Sequence, residues 1–580
     1  MATGTKEIHF EEHIVNYLTG KVRASVYENT LEEPVAVYLT NGKQTVNQEY
    51  SLGDAATYDK ELCMLPADLL AFIKESQPVE YKKLYDQLGA ATDDKIIYYA
   101  SRKLNSSSHK TLDYFRSKFV INGVYFQSVI FKPSHSRTPE HLIAYQKNKL
   151  TVVRQLKYSK KNEKSVDLAI FINGIPIITI ELKNALTGQY LHNAIKQYIE
   201  DRDPKEPLFE FKRCLVHFAV STEKVSMCTE LKGKGTFFLP FNKALINEDV
   251  NGYATSYLWE DVLSKDSLLD LVQNYINIQI DKEKYYDTET RMLKEKSSVK
   301  MIFPRFHQRR AVQSILRSLL SDGVGGKYLI QHSAGSGKSN TIAWLAHQLS
   351  GFHQHPDDEK SLFNSIIVVT DRRVLNKQIQ DSIRQFQQVP GSVVYIDETQ
   401  PSSELARAIE NCTPIIVTTL QRFPIISSSV ANNADKTYAV IIDEAHSSQA
   451  GESARHLRKA LALEEAQEAE EQLDENNQVK TLEDIIIDEI RRKGDQQNIS
   501  FFAFTATPKP RTLELFGTNR NEIKVAFDLY TMEQAIKEGF ILDVLKNYMG
   551  WKRYYKLVKR SDIDDKEYEQ KKTVRVFLLM

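Results

Sequence analysis

Residues 326–340, GKYLIQHSAGSGKSN, limit the architecture of this chain more than any other stretch. An apolar strand (Tyr328, Leu329, Ile330) runs into a glycine-bearing loop. The loop opens a helix whose Ile342, Leu345, Ala346 and Leu349 fall at i, i+3, i+4 and i+7. Strand, glycine-rich loop and helix N-terminus in that order make an anion site, because backbone N–H groups converge on a phosphate and the helix end adds partial positive charge. Gly335 and Gly337, with Ser336 between them, let the backbone approach the ligand. Lys338 is expected to reach the β and γ phosphates of ATP and Ser339 to ligate its Mg²⁺.

The long form of this loop has a further glycine five residues before Gly337, where this chain has His332. The shorter pattern (S/A/P)-x-G-x-G-K-(S/T), seen in superfamily 2 helicases, is met by residues 333–339. Downstream, four short apolar runs, SIIVVT (365–370), PIIVTT (414–419), YAVII (438–442) and FFAFT (501–505), alternate with helical segments. Continuous apolar runs of this length suit parallel strands buried on both faces, which predicts a doubly wound α/β domain with its ligand at the carboxyl ends of the strands. Asp443-Glu444-Ala445-His446 follows YAVII directly. There Asp443 would hold Mg²⁺ and Glu444 would polarise the hydrolytic water. Thr505 and Thr507 end the next strand, where hydroxyls could couple nucleotide state to the rest of the protein. The acidic stretch 464–493 is expected to be a solvated helical insertion.

A second constellation lies upstream. In residues 165–185, SVDLAIFINGIPIITIELKNA, two apolar strands flank Asn173-Gly174, a hairpin signal. The first strand carries Asp167; the second carries Glu181 and Lys183, two apart and so on one face. Two carboxylates and a lysine on adjacent strands are the arrangement of a PD-(D/E)xK nuclease, with Asp167 and Glu181 on Mg²⁺ and Lys183 beside the attacking water. A strict two-residue turn would set Asp167 opposite Ile180 and point it away from Glu181. The nuclease arrangement therefore requires a bulge or an odd loop. A plain hairpin with surface charges is the alternative.

Composition narrows the remaining classes. A length of 580 residues suggests several domains. Lysine plus arginine and aspartate plus glutamate are equal at 76 each, so any contact with nucleic acid must come from local patches. Cys63, Cys214, Cys228 and Cys412 show no paired spacing, which argues for a reducing compartment and against a zinc or disulfide framework. The start MATGTKEIHFEEH has no secretory h-region, and no run of about 18 apolar residues occurs, so a cytoplasmic protein without a membrane span is expected. Residues 7–19 suggest an amphipathic helix with Phe10, Ile14 and Leu18 on one face, and Glu11 and Glu12 as solvated charge. Residues 20–115 carry no assignable chemistry, 212–239 contain strands, and the charged stretch 281–298 is expected to be a linker.

The phosphate loop, DEAH and Thr505-Ala506-Thr507, in this order and on these strands, resemble the first RecA-like domain of a superfamily 2 helicase. Together with Asp167, Glu181 and Lys183, and with stretches such as QYIEDRDPKEPLF, VHFAVSTEKVSMCT and MEQAIKEGFILDVLKNY, the chain resembles the restriction (R, or HsdR) subunit of type I restriction–modification enzymes over most of residues 115–548. The resemblance implies an α/β chain: a PD-(D/E)xK endonuclease domain at 1–265, a linker at 266–298, a RecA-like translocase domain at 299–548, and at 549–580 the truncated start of a second lobe. It implies ATP-driven double-stranded DNA translocation coupled to Mg²⁺-dependent cleavage, modification (M) and specificity (S) subunits as partners, and S-adenosylmethionine only through that complex. Residue by residue, Glu11 matches the acidic residue of the family's N-terminal helix. Gln197 matches the glutamine of a Q-x-x-x-Y element whose tyrosine position is Asp201 here. Gln308 resembles the adenine-reading glutamine, and Thr370, Arg372, Thr418 and Thr419 fall on the DNA-phosphate track. A repair helicase–nuclease and a non-catalytic nucleotide- or DNA-binding module are the rival readings.

Overall fold

A computed structural model describes residues 7–21, 49–106, 108–135, 137–247, 252–287, 292–370, 373–386, 391–397, 399–431, 433, 435–443, 487–488, 490–491 and 496–543. Two seven-stranded sheets organise them. The first holds β1 (Tyr50–Gly53), β2 (Leu150–Lys157), β3 (Ser165–Ile172), β4 (Ile175–Lys183), β5 (Val216–Ser221), β6 (Val225–Cys228) and β7 (Leu239–Pro240), adjacent in sequence order. It is mixed: β1 runs parallel to β2 and β4 to β5, and the other neighbours are antiparallel. β3 and β4 are buried almost end to end, as their continuous apolar runs require. Helix α1 (Glu7–Leu18) lies against this half, with Phe10, Ile14, Val15 and Leu18 buried.

The second sheet starts at β10, after an intervening ribbon. Its strands are β10 (Lys327–His332), β11 (Ser365–Thr370), β12 (Val393–Ile396), β13 (Ile415–Thr419), β14 (Tyr438–Asp443), β15 (Ile499–Thr505) and β16 (Asp528–Tyr530), in the order β12-β13-β11-β14-β15-β10-β16. Every pairing in it is parallel. The four expected runs are the central strands. β12 is apolar throughout (VVYI) but only four residues long, and β16 (DLY) is three, too short to stand out as the others do.

The ribbon corrects the expected linker. Strands β8 (Asn277–Asp287) and β9 (Met292–Ile302) pair antiparallel over their whole length, from Asn277↔Ile302 to Asp287↔Met292. Its root is apolar, with Ile278 and Met301 buried opposite one another, and further out Lys282–Glu295 and Lys300–Asp281 ion pairs lie across the strands at 3.1 Å each. The stretch before it, 258–275, is a run of helical turns (Leu258–Val262, Lys265–Asp270, Leu271–Tyr275) that packs into the core. One hydrophobic cluster runs from Phe10 and Leu168 through Trp259 and Val272 to Trp344 and Phe502, so the two sheets share a continuous core. Among the described residues, no helix is long and apolar enough to cross a membrane.

Candidate functional sites

The carboxylate cluster is built by an irregular hairpin. Asn173 and Gly174 form a two-residue turn at φ 48 and 81, the positive angles a tight hairpin needs. A Cβ on Gly174 would stand 2.3 Å from Leu65 O, so the turn docks where only glycine fits. Ile172 pairs with Ile175 and Phe171 with Pro176; the register then steps, and Ile170 pairs with Ile178. Ile177 is the extra residue, a bulge. Carried past Leu168↔Ile180, the shifted register sets Asp167 across from Glu181, as the parity argument required. The Leu182 N–H donates to Asp167 Oδ2 at 2.8 Å.

Glu181 is fully buried. Arg202, also buried, donates from Nε to Glu181 Oε1 at 2.7 Å, while Glu181 Oε2 has no hydrogen-bond partner among the described residues. Burial first, and then the charge of Asp167, push the Glu181 carboxyl up to about 8 against the pull of Arg202. Lys183 donates to Glu7 Oε1 at 3.0 Å and to Leu182 O at 2.8 Å. Burial raises the Glu7 carboxyl, and its ion pair with Lys183 opposes that shift. Glu11 is buried, not solvated as expected. Arg154 Nε donates to its Oε1 at 2.6 Å and Gln155 Nε2 to its Oε2 at 2.8 Å. Gln155 Nε2 also reaches Asp167 Oδ1 at 3.2 Å. Glu7 and Glu11, one turn apart on α1, thus face the hairpin together.

Helix α2 (Leu191–Asp201) carries Gln197, which is half-buried and makes none of the described hydrogen bonds that tie this cluster together. Asp201 pairs instead with Lys164 at 2.9 Å. Sequence reasoning missed Glu7, Arg154, Gln155 and Arg202. The position of Glu7, four residues before Glu11, and the β-branched run LTVVRQLK were signals for the first three; nothing in the spacing marked Arg202.

The phosphate loop lies between β10 and helix α4 (Lys338–Leu349), which buries Ile342, Leu345, Ala346 and Leu349. His332 closes the strand instead of opening the loop. It is fully buried, with Nε2 2.7 Å from Oδ1 of Asp528 on neighbouring β16. Burial keeps the His332 imidazole below its ordinary value despite that carboxylate; His332 and Arg310 hold Asp528 below the carboxylate range against its own burial. Helix α3 (Phe306–Asp322) braces the loop: His307 Nε2 lies 3.0 Å from Ser336 O, and Gln308 Nε2 donates to Gly337 O at 2.9 Å. Gln308 Oε1 accepts from the Arg305 N–H at 2.9 Å, so the expected adenine reader has its amide engaged within the protein. Lys338 Nζ lies 3.4 Å from His332 O, and Ser339, Gly335 and Ser336 line the same turn.

Asp443 ends β14, buried, beside Phe504 of β15. Glu444 and Arg372 lie outside the described residues, as does most of the acidic stretch 464–493. Thr370 and Thr419 are register partners at the carboxyl ends of β11 and β13, with Thr418 beside them. All three are buried, Thr370 and Thr419 on one face of the sheet and Thr418 on the other, and their hydroxyls have no hydrogen-bond partner among the described residues. They are buried because both strands are central and covered. Thr505 is buried at the end of β15 and Thr507 is exposed.

Residues 66–236 match the family described as type I restriction enzyme R protein N terminus (HSDR_N), and residues 307–467 match the SWI2/SNF2 ATPase family. The endonuclease subunit of the type I restriction enzyme SsaAORF53P from Staphylococcus saprophyticus is 26% identical over 422 residues, covering 70% of this chain and 37% of that protein. The endonuclease subunit of the type I restriction enzyme HindI from Haemophilus influenzae is 26% identical over 354 residues, 54% of this chain and 30% of that protein. The chain thus spans about a third of the length of these relatives. A solved structure described as the ATP-dependent Type ISP restriction-modification enzyme LlaBIII bound to DNA aligns at 18% identity over 45% of this chain and 16% of that one, with a TM-score of 0.24, and adds nothing to the assignment. The HSDR_N match, over strands β2 to β6, and the SWI2/SNF2 match, over strands β10 to β14, together with these relatives, support an HsdR-like protein.

Proposed function

We propose that the chain is the nuclease and first motor lobe of a type I restriction endonuclease subunit, with Asp167, Glu181 and Lys183 as a Mg²⁺-dependent PD-(D/E)xK centre. In this reading residues 1–265 form the nuclease domain and 299–548 the RecA-like lobe, with the ribbon between them, and residues 549–580 lie outside the described residues. The observation that carries it is the bulge at Ile177, which brings Asp167 across from Glu181. The bulge sets the register that puts Asp167 opposite Glu181, whose buried Oε2 has no hydrogen-bond partner among the described residues, and two carboxylates so placed support a cation site.

The donor set fits Mg²⁺, since hard oxygen ligands are offered and no thiolate or imidazole is. Asp167 and Glu181 would hold the ion, which when bound polarises the scissile phosphate and lowers the pKa of a ligated water. Arg202 keeps one oxygen of Glu181 occupied and leaves the other for the ion. Lys183, anchored by Glu7, presents its ammonium at the same edge, where it would orient the attacking water. Glu11, through Gln155, steadies Asp167.

In the second sheet, Lys338 and Ser339 would meet ATP·Mg²⁺, Asp443 the metal, and Glu444 the hydrolytic water. Thr505 and Thr507 would link the nucleotide to DNA movement. Double-stranded DNA is the substrate in this reading, and M and S subunits are the partners that bring sequence recognition. The SWI2/SNF2 match supports nucleotide use, and the relatives' designation as endonuclease subunits supports cleavage. The test is Mg²⁺-dependent nicking of plasmid DNA by the purified chain. Nicking lost in Asp167→Ala is expected; equal nicking by the variant would discard the site.

A further inference from the structure

Gln155 stands in the middle of β2, yet its φ is +46. That is left-handed backbone, which a residue with a Cβ adopts only where its surroundings hold it there. The β2–β3 pairing keeps one register on both sides, Arg154 with Leu168 and Leu156 with Val166, while Gln155 and Asp167 face each other between those pairs without joining the ladder. The strained residue is therefore the one opposite Asp167.

The side chain at this kink is exposed, yet both ends of its amide are engaged. Nε2 donates to Glu11 Oε2 at 2.8 Å and to Asp167 Oδ1 at 3.2 Å, and Oε1 accepts from Ser165 Oγ at 3.0 Å. The Ser165 hydroxyl donates to Oε1, so the amide nitrogen is the atom turned to the two carboxylates. We infer that Gln155 is a positioning residue of the nuclease centre: a neutral bridge, aimed by a strained backbone, that fixes Asp167 against the N-terminal helix. This rests on the reading of Asp167 as a metal ligand.

The choice of an amide has a physical reason. A lysine or arginine could bridge Glu11 and Asp167 as well, but it would set a positive charge on Asp167, one of the two proposed ligands, in competition with the cation. An amide orients them and leaves their charge intact. With the Leu182 N–H on Oδ2 and Gln155 on Oδ1, Asp167 is held at both oxygens and still has lone pairs to offer, because a carboxylate has about four acceptor sites. Groups that orient a metal ligand from behind are worth about 10–100-fold in metal affinity.

The experiment separates bridge from strain. Mn²⁺ binding and thermal unfolding are measured on the nucleotide-free, full 580-residue chain for wild type, Gln155→Ala, Gln155→Gly and Asp167→Ala. Both Gln155 variants lose the bridge, so both should bind Mn²⁺ about 10–100-fold more weakly. Glycine takes positive φ without steric conflict, so Gln155→Gly should melt above Gln155→Ala while binding no better. Wild-type Mn²⁺ affinity in Gln155→Ala, or affinity that returns together with stability in Gln155→Gly, overturns the inference. If Asp167→Ala loses Mn²⁺ while Gln155→Ala keeps it, only the positioning role falls; if Asp167→Ala binds Mn²⁺ like wild type, the nuclease reading falls too.

Discussion

Arg309 and Asp261 meet as a two-pronged ion pair, Nη1 to Oδ2 and Nη2 to Oδ1, each at 2.9 Å, with the guanidinium only 2% exposed. Arg309 follows Gln308 on α3, so the helix that braces the phosphate loop also grips the helical turns beside the first sheet. Two residues before Asp261, Trp259 packs edge-on against Phe10 of α1 with ring centres 5.9 Å apart. Helix α1 in turn carries Glu7 and Glu11 into the carboxylate cluster. A second tie runs from Trp344 of α4, whose Nε1 donates to Tyr275 O at 2.8 Å. The candidate nuclease and motor regions are therefore packed to each other through α3, not tethered.

Asp261→Ala should destabilise the chain, because it leaves a buried guanidinium without its counter-charge. Breaking a fully buried pair costs about 3–5 kcal/mol, but the Asp261 side chain is 47% exposed and Arg309 keeps its bond to Ser267 Oγ, so about 1–3 kcal/mol is expected here, and replacing both partners by apolar groups is milder. Urea unfolding should show the Asp261→Ala midpoint well below wild type and Asp261→Ala with Arg309→Met recovering most of the loss. A drop below about 1 kcal/mol in the single variant would mean the Arg309 guanidinium is not buried in solution.

Gly337→Ala should lose both the loop and its brace. Gly337 has φ 82, and a Cβ there would lie 2.5 Å from Gln308 Nε2. The strained angle alone costs about 1 kcal/mol or more, and relief requires Gln308 to release Gly337 O. Nucleotide affinity, read with a fluorescent ATP analogue, should fall at least tenfold, with a lower melting temperature. An unchanged affinity would show that the loop tolerates displacement from α3.

Acid should destabilise the first sheet through His217. This imidazole is buried between β-sheet and α2, with Nδ1 2.7 Å from Thr179 Oγ1, and burial lowers its pKa from 6.5 to about 3. The unfolded chain therefore binds a proton that the folded one refuses between those values, so stability falls as pH drops from 6.5 toward 3. The slope is about 1.4 kcal/mol per pH unit. His217→Asn keeps a polar partner for Thr179 and removes the titration, so its unfolding free energy relative to wild type should improve steadily below pH 6.5. A pH-independent difference would mean that His217 is solvated in the folded state.

What the sequence made legible follows from burial. The runs at 365–370, 414–419, 438–442 and 501–505 were readable because strands covered on both faces must be apolar throughout, and each forms a central strand. The hairpin was readable at Asn173-Gly174, but its bulge was only a condition of the nuclease reading, since nothing in IPIIT marks Ile177 as the unpaired residue. The ribbon was lost because its outer half has no apolar face: charges alternate across β8 and β9, and the same composition suits an unpaired linker. Arg202 was invisible because its link to Glu181 is made by the path of α2, not by spacing. The buried state of Thr370, Thr418 and Thr419 was hidden for a related reason, as polar residues at strand ends resemble surface residues until their neighbours are placed.

Losses in the two candidate sites should be separable in both directions. Lys338→Ala removes a charge-assisted contact with the β and γ phosphates, worth about 1.5–3 kcal/mol, so ATP-analogue affinity should fall roughly 10–150-fold. Lys338 also lies 3.4 Å from His332 O, a contact too long to carry the fold, so the melting temperature should barely move. Asp167→Ala or Lys183→Ala should abolish Mg²⁺-dependent nicking and leave nucleotide affinity at the wild-type value, because the sites sit on different sheets and share no side chain. The shared core makes this a demanding test. If continuity through Arg309, Asp261, Trp259 and Phe10 transmitted strain from one site to the other, Lys338→Ala would also weaken Mn²⁺ binding at the carboxylates. Measuring both ligands on all three variants distinguishes the cases: independent losses support two autonomous centres in one packed unit, and a crossed loss of more than about threefold would show that α3 couples them.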